Sequence, residues 1–308
     1  KAEKCIKINI VELNKQHLNF ELKAHCISNE GCLKYPTEID GFNATKFNNQ
    51  HGDFMRTLYQ FPLSHFCEKA RWMLDHKELD YVAQNLMPGA HRAFARLKTG
   101  QNRLPILRDK EQWIADSTQI ALYLDEHYPE HRLLPVEGRL RQKVLEIDEK
   151  TQELGRHIRR WMLAQALSHD HESMEILIGE KGYLRQFEKF SKPLLKTLLS
   201  KGYALTEDTL AQSREYIKET VEQLNQTLIE NKGAYFAGSR FSLADIAVCS
   251  MLAPLLAISG TPWERDSFES MSDEYRDYQT YLSELPLGQY IKNIYRHERN
   301  ARIDWRGV

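Results

Sequence analysis

The stretch "PLSHFCEKAR", residues 62–71, decides the fold, because it marks the point where a strand turns into a helix. Upstream, "TLYQF" (57–61) alternates apolar and polar residues, which is typical of a short strand. Downstream, apolar residues recur at helical spacing, and Ser64 stands where a helix N-cap is expected. Ser64 precedes Cys67 by three residues, which is the spacing of a C-x-x-C redox motif with serine in place of the first thiol.

The pattern continues as alternating strands and helices up to residue 128. Turn residues and capping signals separate the segments, and the predicted order is β-α-β-α-β-β-α. The segments after the first helix are "LDYVAQNL" (79–86), "HRAFARLKTG" (91–100), "RLPILRD" (103–109), "EQWIAD" (111–116) and "STQIALYLDEHY" (117–128). This order predicts a small mixed sheet covered by helices.

A second domain with a different character follows a Pro- and Gly-containing linker at residues 129–138. Helical periodicity dominates after the linker, and strand-like runs are nearly absent. Ser242 and Asp245 form an S-x-x-D pattern before an apolar run, which predicts a structural capping box. We therefore predict an α/β domain over residues 55–130 and an all-α helical bundle over 139–300.

Composition narrows the class of protein. The 308 residues include 42% hydrophobic residues, enough for a sizeable core, and the net charge of −1 argues against a nucleic-acid partner. No apolar run approaches the length of a membrane span, so no membrane partner is expected. Five cysteines argue against a disulfide framework and favour the cytoplasm. Two histidines, His169 and His171, lack a further ligand nearby, so no metal site is predicted.

Residues 1–54 differ from the remainder of the chain. They contain no Arg, Trp or Met, they hold three of the five cysteines, and Met55 stands directly before the first strand. We predict a poorly structured, dispensable extension, or sequence upstream of the true start at Met55. A functional appendage is the alternative.

Four motifs in this order resemble the cytosolic glutathione transferase family: "PLSHFCEKAR", "RLPIL", "ADSTQIALYL" and "GSRFSLADIAV". The resemblance covers about residues 55 to 295. It implies a thioredoxin-like first domain that binds glutathione and an all-α second domain, together the glutathione transferase fold. It also implies a homodimeric detoxification enzyme that uses glutathione as a co-substrate, with no further cofactor, and binds a small hydrophobic electrophile between the domains.

The resemblance also assigns the residues of the glutathione site. Leu104, just before Pro105, pairs its backbone with the cysteinyl part of glutathione, and Asp116 and Ser117 hold the γ-glutamyl end. From the residues alone, an Asp-Ser pair that opens a helix is either a simple cap or a place for a carboxylate and an ammonium. Ser64 aligns with the catalytic hydroxyl of the serine-type, bacterial-like members.

Several alternatives stay open at these positions. Ser64 is either a donor to the glutathione thiolate or an N-cap only, and Cys67 is either a buried helix residue or a redox thiol. Tyr59 lies near the position of the catalytic tyrosine in tyrosine-type transferases, or it is a strand residue. The function expected is conjugation of glutathione to a hydrophobic electrophile. The rivals are thiol–disulfide or deglutathionylation chemistry through Cys67, and a non-catalytic glutathione-binding protein.

The glycine carboxylate of glutathione usually meets a basic or amide residue upstream of the proline. The candidates are Gln101, Asn102, Arg103, His91 and Lys98, and the sequence does not choose among them.

The first long helix of the second domain supplies the electrophile candidates. By analogy with the family, Arg156, Arg160 and Trp161 line the electrophile site, although a solvated basic face is the alternative.

Overall fold

A computed structural model of the chain describes residues 56–87, 89–168, 202–232, 234–264 and 271–308. The predicted extension, residues 1–54, lies outside the described residues, as do His169 and His171.

Four strands form one mixed sheet in the order β2-β1-β3-β4. Their bounds are β1 Arg56–Gln60, β2 Tyr81–Asn85, β3 Ile106–Asp109 and β4 Gln112–Ala115. β1 runs parallel to β2, with Leu58 opposite Ala83, and antiparallel to β3, with Leu58 opposite Leu107. β3 and β4 are joined as an antiparallel hairpin. The predicted strand and helix order of this domain is confirmed.

Three helices cover the two faces of the sheet: α1 His65–His76, α2 Ala90–Thr99 and α3 Ser117–His127. Side chains alternate across a strand, so neighbouring residues face opposite layers. Leu58 and Leu107 join the main core, to which α1 and α3 also contribute, whereas Tyr59 and Ile106 pack with Ala95 of α2. The first domain is therefore a three-layer α/β unit.

Among the described residues of the part that follows, there are five further helices and no strand. They are α4 Gly138–Ser168, α5 Glu207–Glu230, α6 Leu243–Leu256, α7 Asp273–Glu284 and α8 Pro286–Glu298. Every residue of α6 is buried, and this helix packs against both α1 and α4. The predicted fold class, a thioredoxin-like α/β domain followed by an all-α domain, is confirmed.

Asp245 fixes the start of α6 through four hydrogen bonds. Its Oδ2 accepts from the backbone N–H and the hydroxyl of Ser242, at 2.8 and 2.9 Å. Its Oδ1 accepts from the backbone N–H of Phe236 at 2.8 Å and from the Tyr290 hydroxyl at 2.7 Å. The carboxylate therefore caps α6 and ties it to the preceding loop and to α8.

Helix α1 is buried on all sides, although it carries several charged residues. Lys69 pairs with Asp148 of α4. Arg299, after α8, pairs with both Glu68 and Asp75, and each of these two distances is 2.7 Å. Buried charges are tolerated when they are paired and hydrogen-bonded. Ion pairs to distant segments thus allow α1 to lie between the sheet and the helices.

Gly307 and Val308 lie along the outer edge of the sheet, beside β2. The N–H of Val308 donates to Ala83 O at 2.8 Å, and the N–H of Asn85 donates to Val308 O at 2.7 Å. Gly307 has a φ of +61°, and a Cβ there would lie 2.6 Å from Ala83 O. This segment covers an edge that would otherwise expose unpaired backbone groups.

Candidate functional site

An open cavity lies where the loop before β3, the start of α3 and the middle of α4 meet. The space between its walls is about 400 Å³ when its open mouth is included. The lining residues are Phe66, Gln101, Arg103, Leu104, Pro105, Asp116, Ser117, Gln152, Arg156 and Arg159. The cavity thus brings together the four residues that the resemblance assigns to glutathione, Leu104, Pro105, Asp116 and Ser117.

Asp116 caps α3 with one oxygen of its carboxylate. Oδ1 accepts from the backbone N–H of Thr118 at 2.9 Å and from that of Gln119 at 3.4 Å. Among the described residues, no hydrogen bond to Oδ2 is formed. The φ of Asp116 is +76°, a left-handed conformation that costs a non-glycine residue energy and is found most often at functional sites. The simple cap and a role toward a ligand are compatible, because each uses a different oxygen.

Ser117, at the first position of α3, has a buried hydroxyl that lacks a partner. Only 1% of the residue is exposed, and its Oγ has no hydrogen bond within the part of the chain that the structure describes. Leaving a buried polar group unpaired costs about 1–3 kcal/mol. Ser117 is one of the residues that line the cavity, so a ligand bound there is the candidate for the missing partner.

The loop before β3 forms another wall of the cavity. The Leu104–Pro105 peptide bond is cis, and Pro105 is buried directly before β3 begins. Proline lacks an N–H, and its place before the first residue of the strand avoids the loss of a ladder hydrogen bond. Leu104 is half-buried and lines the cavity with its neighbour.

Ser64 is the N-cap of α1, and its hydroxyl accepts from the backbone N–H of Cys67 at 3.4 Å. It is half-buried and is not among the residues that line the cavity, whereas Phe66, two residues later, is. A hydroxyl that accepts a hydrogen bond still has its own hydrogen to donate. The capping geometry therefore leaves the donor role of Ser64 chemically available.

Cys67 is fully buried, and its Sγ accepts from the backbone N–H of Phe61 at 3.4 Å. Burial raises the pKa of the Cys67 thiol, and the Ser64 hydroxyl opposes this only in part. The nucleophilic form of cysteine is the thiolate, so a buried thiol with a raised pKa is poorly suited to redox chemistry. This geometry favours the interpretation of Cys67 as a packing residue.

Tyr59 lies on the α2 side of the sheet. Its ring contacts Phe94, with centroids 4.7 Å apart, and stacks on Trp113 at 5.5 Å. These contacts favour the interpretation as a strand residue, because the ring is held among aromatic side chains of the second core cluster.

The three electrophile-site candidates on α4 have different surroundings. Arg156 lines the cavity and pairs with Glu153. Arg160 is not among the lining residues and donates to backbone and side-chain oxygens in and before α5. Trp161 is 2% exposed and packs against aromatic residues of α7, because successive helix positions point in different directions. Arg159, one turn after Arg156, also lines the cavity, although it is not among the three candidates.

The candidates for binding the glycine carboxylate also differ in whether they line the cavity. Gln101 and Arg103 line the cavity, whereas Asn102, His91 and Lys98 do not. His91 accepts from the Gly89 N–H through Nδ1, and the Lys98 ammonium lies 4.8 Å from the centre of the Trp113 ring.

A polar network holds the start of α3 against α1 and α4. The hydroxyl of Thr118 donates to Asp148, which also pairs with Lys69. Gln152, which lines the cavity, donates to the Thr118 hydroxyl at 2.5 Å. Sequence reasoning missed Gln152, Asp148 and the cavity residue Phe66, because their positions depend on packing between segments far apart in the chain.

Two further observations bear on function. Among the described residues, no group of three or more His, Cys, Asp or Glu side chains is placed to hold a metal ion. Within the same ranges, no helix combines the length and the apolar character needed to cross a membrane.

Two family models match the chain, one after the other. "Glutathione S-transferase, N-terminal domain" matches residues 58–132, and "Glutathione S-transferase, C-terminal domain" matches residues 183–284. Together the two matches span more than half of the chain.

Two sequence relatives agree with the family models. Glutathione S-transferase 1 from Dianthus caryophyllus is 27% identical over 232 residues, which is 73% of this chain and 88% of that protein. A zeta-class glutathione S-transferase from Euphorbia esula is 39% identical over 83 residues, 26% of this chain and 37% of that protein. The solved structure of a glutathione S-transferase from the Antarctic clam Laternula elliptica is 16% identical with a TM-score of 0.45, covering 80% of this chain and 95% of that one.

Proposed function

Because the chain belongs to the glutathione S-transferase family, we propose that it conjugates glutathione to a small electrophile with a hydrophobic body. Glutathione binds in the cavity beside α3. Its thiol loses a proton to solvent, and the thiolate forms a carbon–sulfur bond as the leaving group departs with its electron pair. The protein positions the two reactants and stabilises the thiolate.

The observation that carries this proposal is the unpaired hydroxyl of Ser117 beside Asp116. The γ-glutamyl end of glutathione has a carboxylate and an ammonium next to each other. The carboxylate accepts from the Ser117 hydroxyl at the positive end of α3, and the ammonium donates to Oδ2 of Asp116. The site therefore offers one complementary group to each charge.

The loop before β3 binds the middle of glutathione. The backbone of Leu104 pairs with the cysteinyl residue, and Pro105 lines the same wall of the cavity. Gln101 and Arg103 are the two lining residues of this loop that have a side chain able to bind the glycine carboxylate.

Ser64 stabilises the thiolate by donating its hydroxyl hydrogen to the sulfur. A hydrogen bond to a charged group contributes about 1.5–3 kcal/mol, and one pKa unit corresponds to about 1.36 kcal/mol. One such bond thus lowers the thiol pKa by roughly one to two units from its usual value near 8.5. A large share of the bound thiol is then ionised at neutral pH without a general base.

A homodimeric assembly and a cytoplasmic location complete the proposal. Both rest on the family resemblance. Light scattering of the purified protein tests the first, because a homodimer has twice the mass of the 36.1 kDa chain.

Binding and turnover are measured separately to test the proposal. Retention on immobilised glutathione reports binding, and conjugation of an activated aryl halide reports chemistry. We expect Ser117→Ala to weaken retention, because it removes the donor to the γ-glutamyl carboxylate. We expect Ser64→Ala to remain bound and to lose roughly 10-fold or more of its rate at neutral pH, since the bound thiol is less ionised.

Two control variants make the result specific. Ser64→Thr keeps a hydroxyl and should retain most of the activity, and Cys67→Ala removes a thiol that the proposal does not use. Full activity in Ser64→Ala, or loss of activity in Cys67→Ala with the fold intact, would contradict the assignment of Ser64. Good retention without turnover would favour a glutathione-binding protein.

A further inference from the structure

The α4 wall of the cavity carries the guanidinium of Arg159, for which the described residues provide no counter-ion. Among the described residues, Arg159 forms no hydrogen bond and no ion pair, and its Nε is buried without a partner. Its neighbours on α4 differ, since Arg156 pairs with Glu153 and Arg160 donates to Ser213 at 2.9 Å. Arg159 is half-buried, so its charge is only partly solvated, and an anion that pairs with it would be stabilised.

The surroundings of Arg159 are aromatic and positively charged. Its guanidinium lies 5.4 Å from the ring centre of Phe66 and 5.1 Å from that of Tyr203. Burial lowers the pKa of Arg159, and the charges of Arg103 and Arg156 lower it further. All three arginines line the cavity. Because Arg156 is paired with Glu153, an anion in this space would gain mainly from the charges of Arg159 and Arg103.

Neither Glu153 nor Asp116 pairs with Arg159 in the part of the chain that the structure describes. Glu153 is shared between Arg156 and His157, and Asp116 caps α3. The anion is therefore expected from a ligand rather than from these side chains.

We propose that the electrophile carries a carboxylate, which binds to Arg159 while its apolar body packs against Phe66. This inference rests on the proposed function and names the class of its second substrate. A carboxylate matches the planar, two-pronged donor geometry of a guanidinium. Glutathione has its own contacts at Ser117 and on the loop before β3, so Arg159 is left for the other reactant.

The test is calorimetric titration with two unreactive probes of the same shape, a nitrobenzoate and the corresponding nitrobenzamide. S-methylglutathione is present throughout, because it fills the glutathione site without a reactive thiol. We expect the nitrobenzoate to bind at least about 10-fold more tightly than the nitrobenzamide, as for a charge-assisted hydrogen bond. Arg159→Gln should abolish this preference, and Arg159→Lys should retain part of it.

Arg139→Gln is the matched control, because Arg139 is an exposed arginine of the same helix and is not among the residues that line the cavity. It should leave both affinities unchanged. Circular dichroism and urea unfolding check that each variant is folded.

Equal binding of the two probes by the wild-type protein would overturn the inference. So would an Arg159→Gln variant that binds S-methylglutathione more weakly but keeps the nitrobenzoate preference, since Arg159 would then belong to the glutathione site. If S-methylglutathione does not bind at all, the proposed function fails. In that case the same titrations without it still decide whether Arg159 binds a carboxylate.

Discussion

Replacing Arg299 with alanine tests how α1 is held between the sheet and the helices. The guanidinium is 9% exposed and pairs with Glu68 through Nε and with Asp75 through one terminal nitrogen, both at 2.7 Å. Removing it leaves two buried carboxylates, and breaking a buried pair in this way costs about 3–5 kcal/mol. We expect a loss of this size in the free energy of unfolding at pH 7.

The pH dependence of stability through Glu68 is a second test of the same interaction. Burial alone would raise this pKa, but Arg299 and Arg71 together lower it from 4.5 to about 2. A carboxylate whose pKa is lower in the folded state than in the unfolded state stabilises the fold at any pH above the unfolded pKa. For Glu68 this contribution is about 3 kcal/mol, and it is lost as the pH falls toward the folded-state pKa. By pH 3 about 2 kcal/mol should be gone. Burial raises the pKa of Asp75, which acts in the opposite direction.

Urea unfolding followed by circular dichroism measures these differences. Arg302→Ala is the matched control, because Arg302 lies three residues later and pairs with the exposed Asp80. Surface pairs contribute about 0–1 kcal/mol, so the control should lose little. The difference between Arg299→Ala and wild type should also be smaller at pH 3 than at pH 7. If the two variants lose the same stability at pH 7, the reasoning about buried pairing is wrong.

Two further predictions concern the contact between α1 and α4. In Gly155→Ala a Cβ would lie 2.5 Å from Met251 Sδ of α6, 2.9 Å from Phe66 and 3.2 Å from His65, so we expect a net loss of about 1–2 kcal/mol in urea unfolding. Gly138→Ala, with open space around it, should be neutral or slightly stabilising. Burial and the charge of Arg159 lower the pKa of His65 to about 3. Below pH 6.5, His65 therefore takes up a proton in the unfolded chain while it stays neutral in the folded protein. The free energy of unfolding should therefore fall as the pH drops from 6.5, by about 2 kcal/mol at pH 5. His65→Gln, which keeps a donor to Gly155 O, should lose less stability over the same pH range. An equal dependence of stability on pH in the wild type and in His65→Gln would contradict this.

Much of the fold was predictable because its signals are local. Alternation in β1 and the Asp116–Ser117 helix start each depend on a few adjacent residues. The packing of α1 was not predictable in this way. Its sequence reads as a helix with one apolar face, yet the structure buries its charged residues as well. Their partners lie far away in the chain: Asp148 is 79 residues from Lys69, and Arg299 is 231 residues from Glu68.

The candidate site was likewise predictable only in part. Leu104 and Pro105 belong to a short motif, and the structure places them together with Asp116 and Ser117 at one cavity. Arg159 comes from a long charged helix, where a solvated basic face and a cavity wall have the same residue pattern. Only the packing of α4 against its neighbours, chiefly α5 and α6, decides which of its arginines face the cavity.

The most direct test of the account is the pKa of the thiol of bound glutathione, measured from the ultraviolet absorbance of the thiolate during a pH titration. For the wild-type protein we predict a pKa roughly one to two units below that of free glutathione, because the Ser64 hydroxyl donates to the sulfur. Ser64→Thr should keep most of this shift, and Ser64→Ala should lose it while still binding glutathione. An unchanged thiol pKa in Ser64→Ala would contradict the central claim that Ser64 stabilises the thiolate.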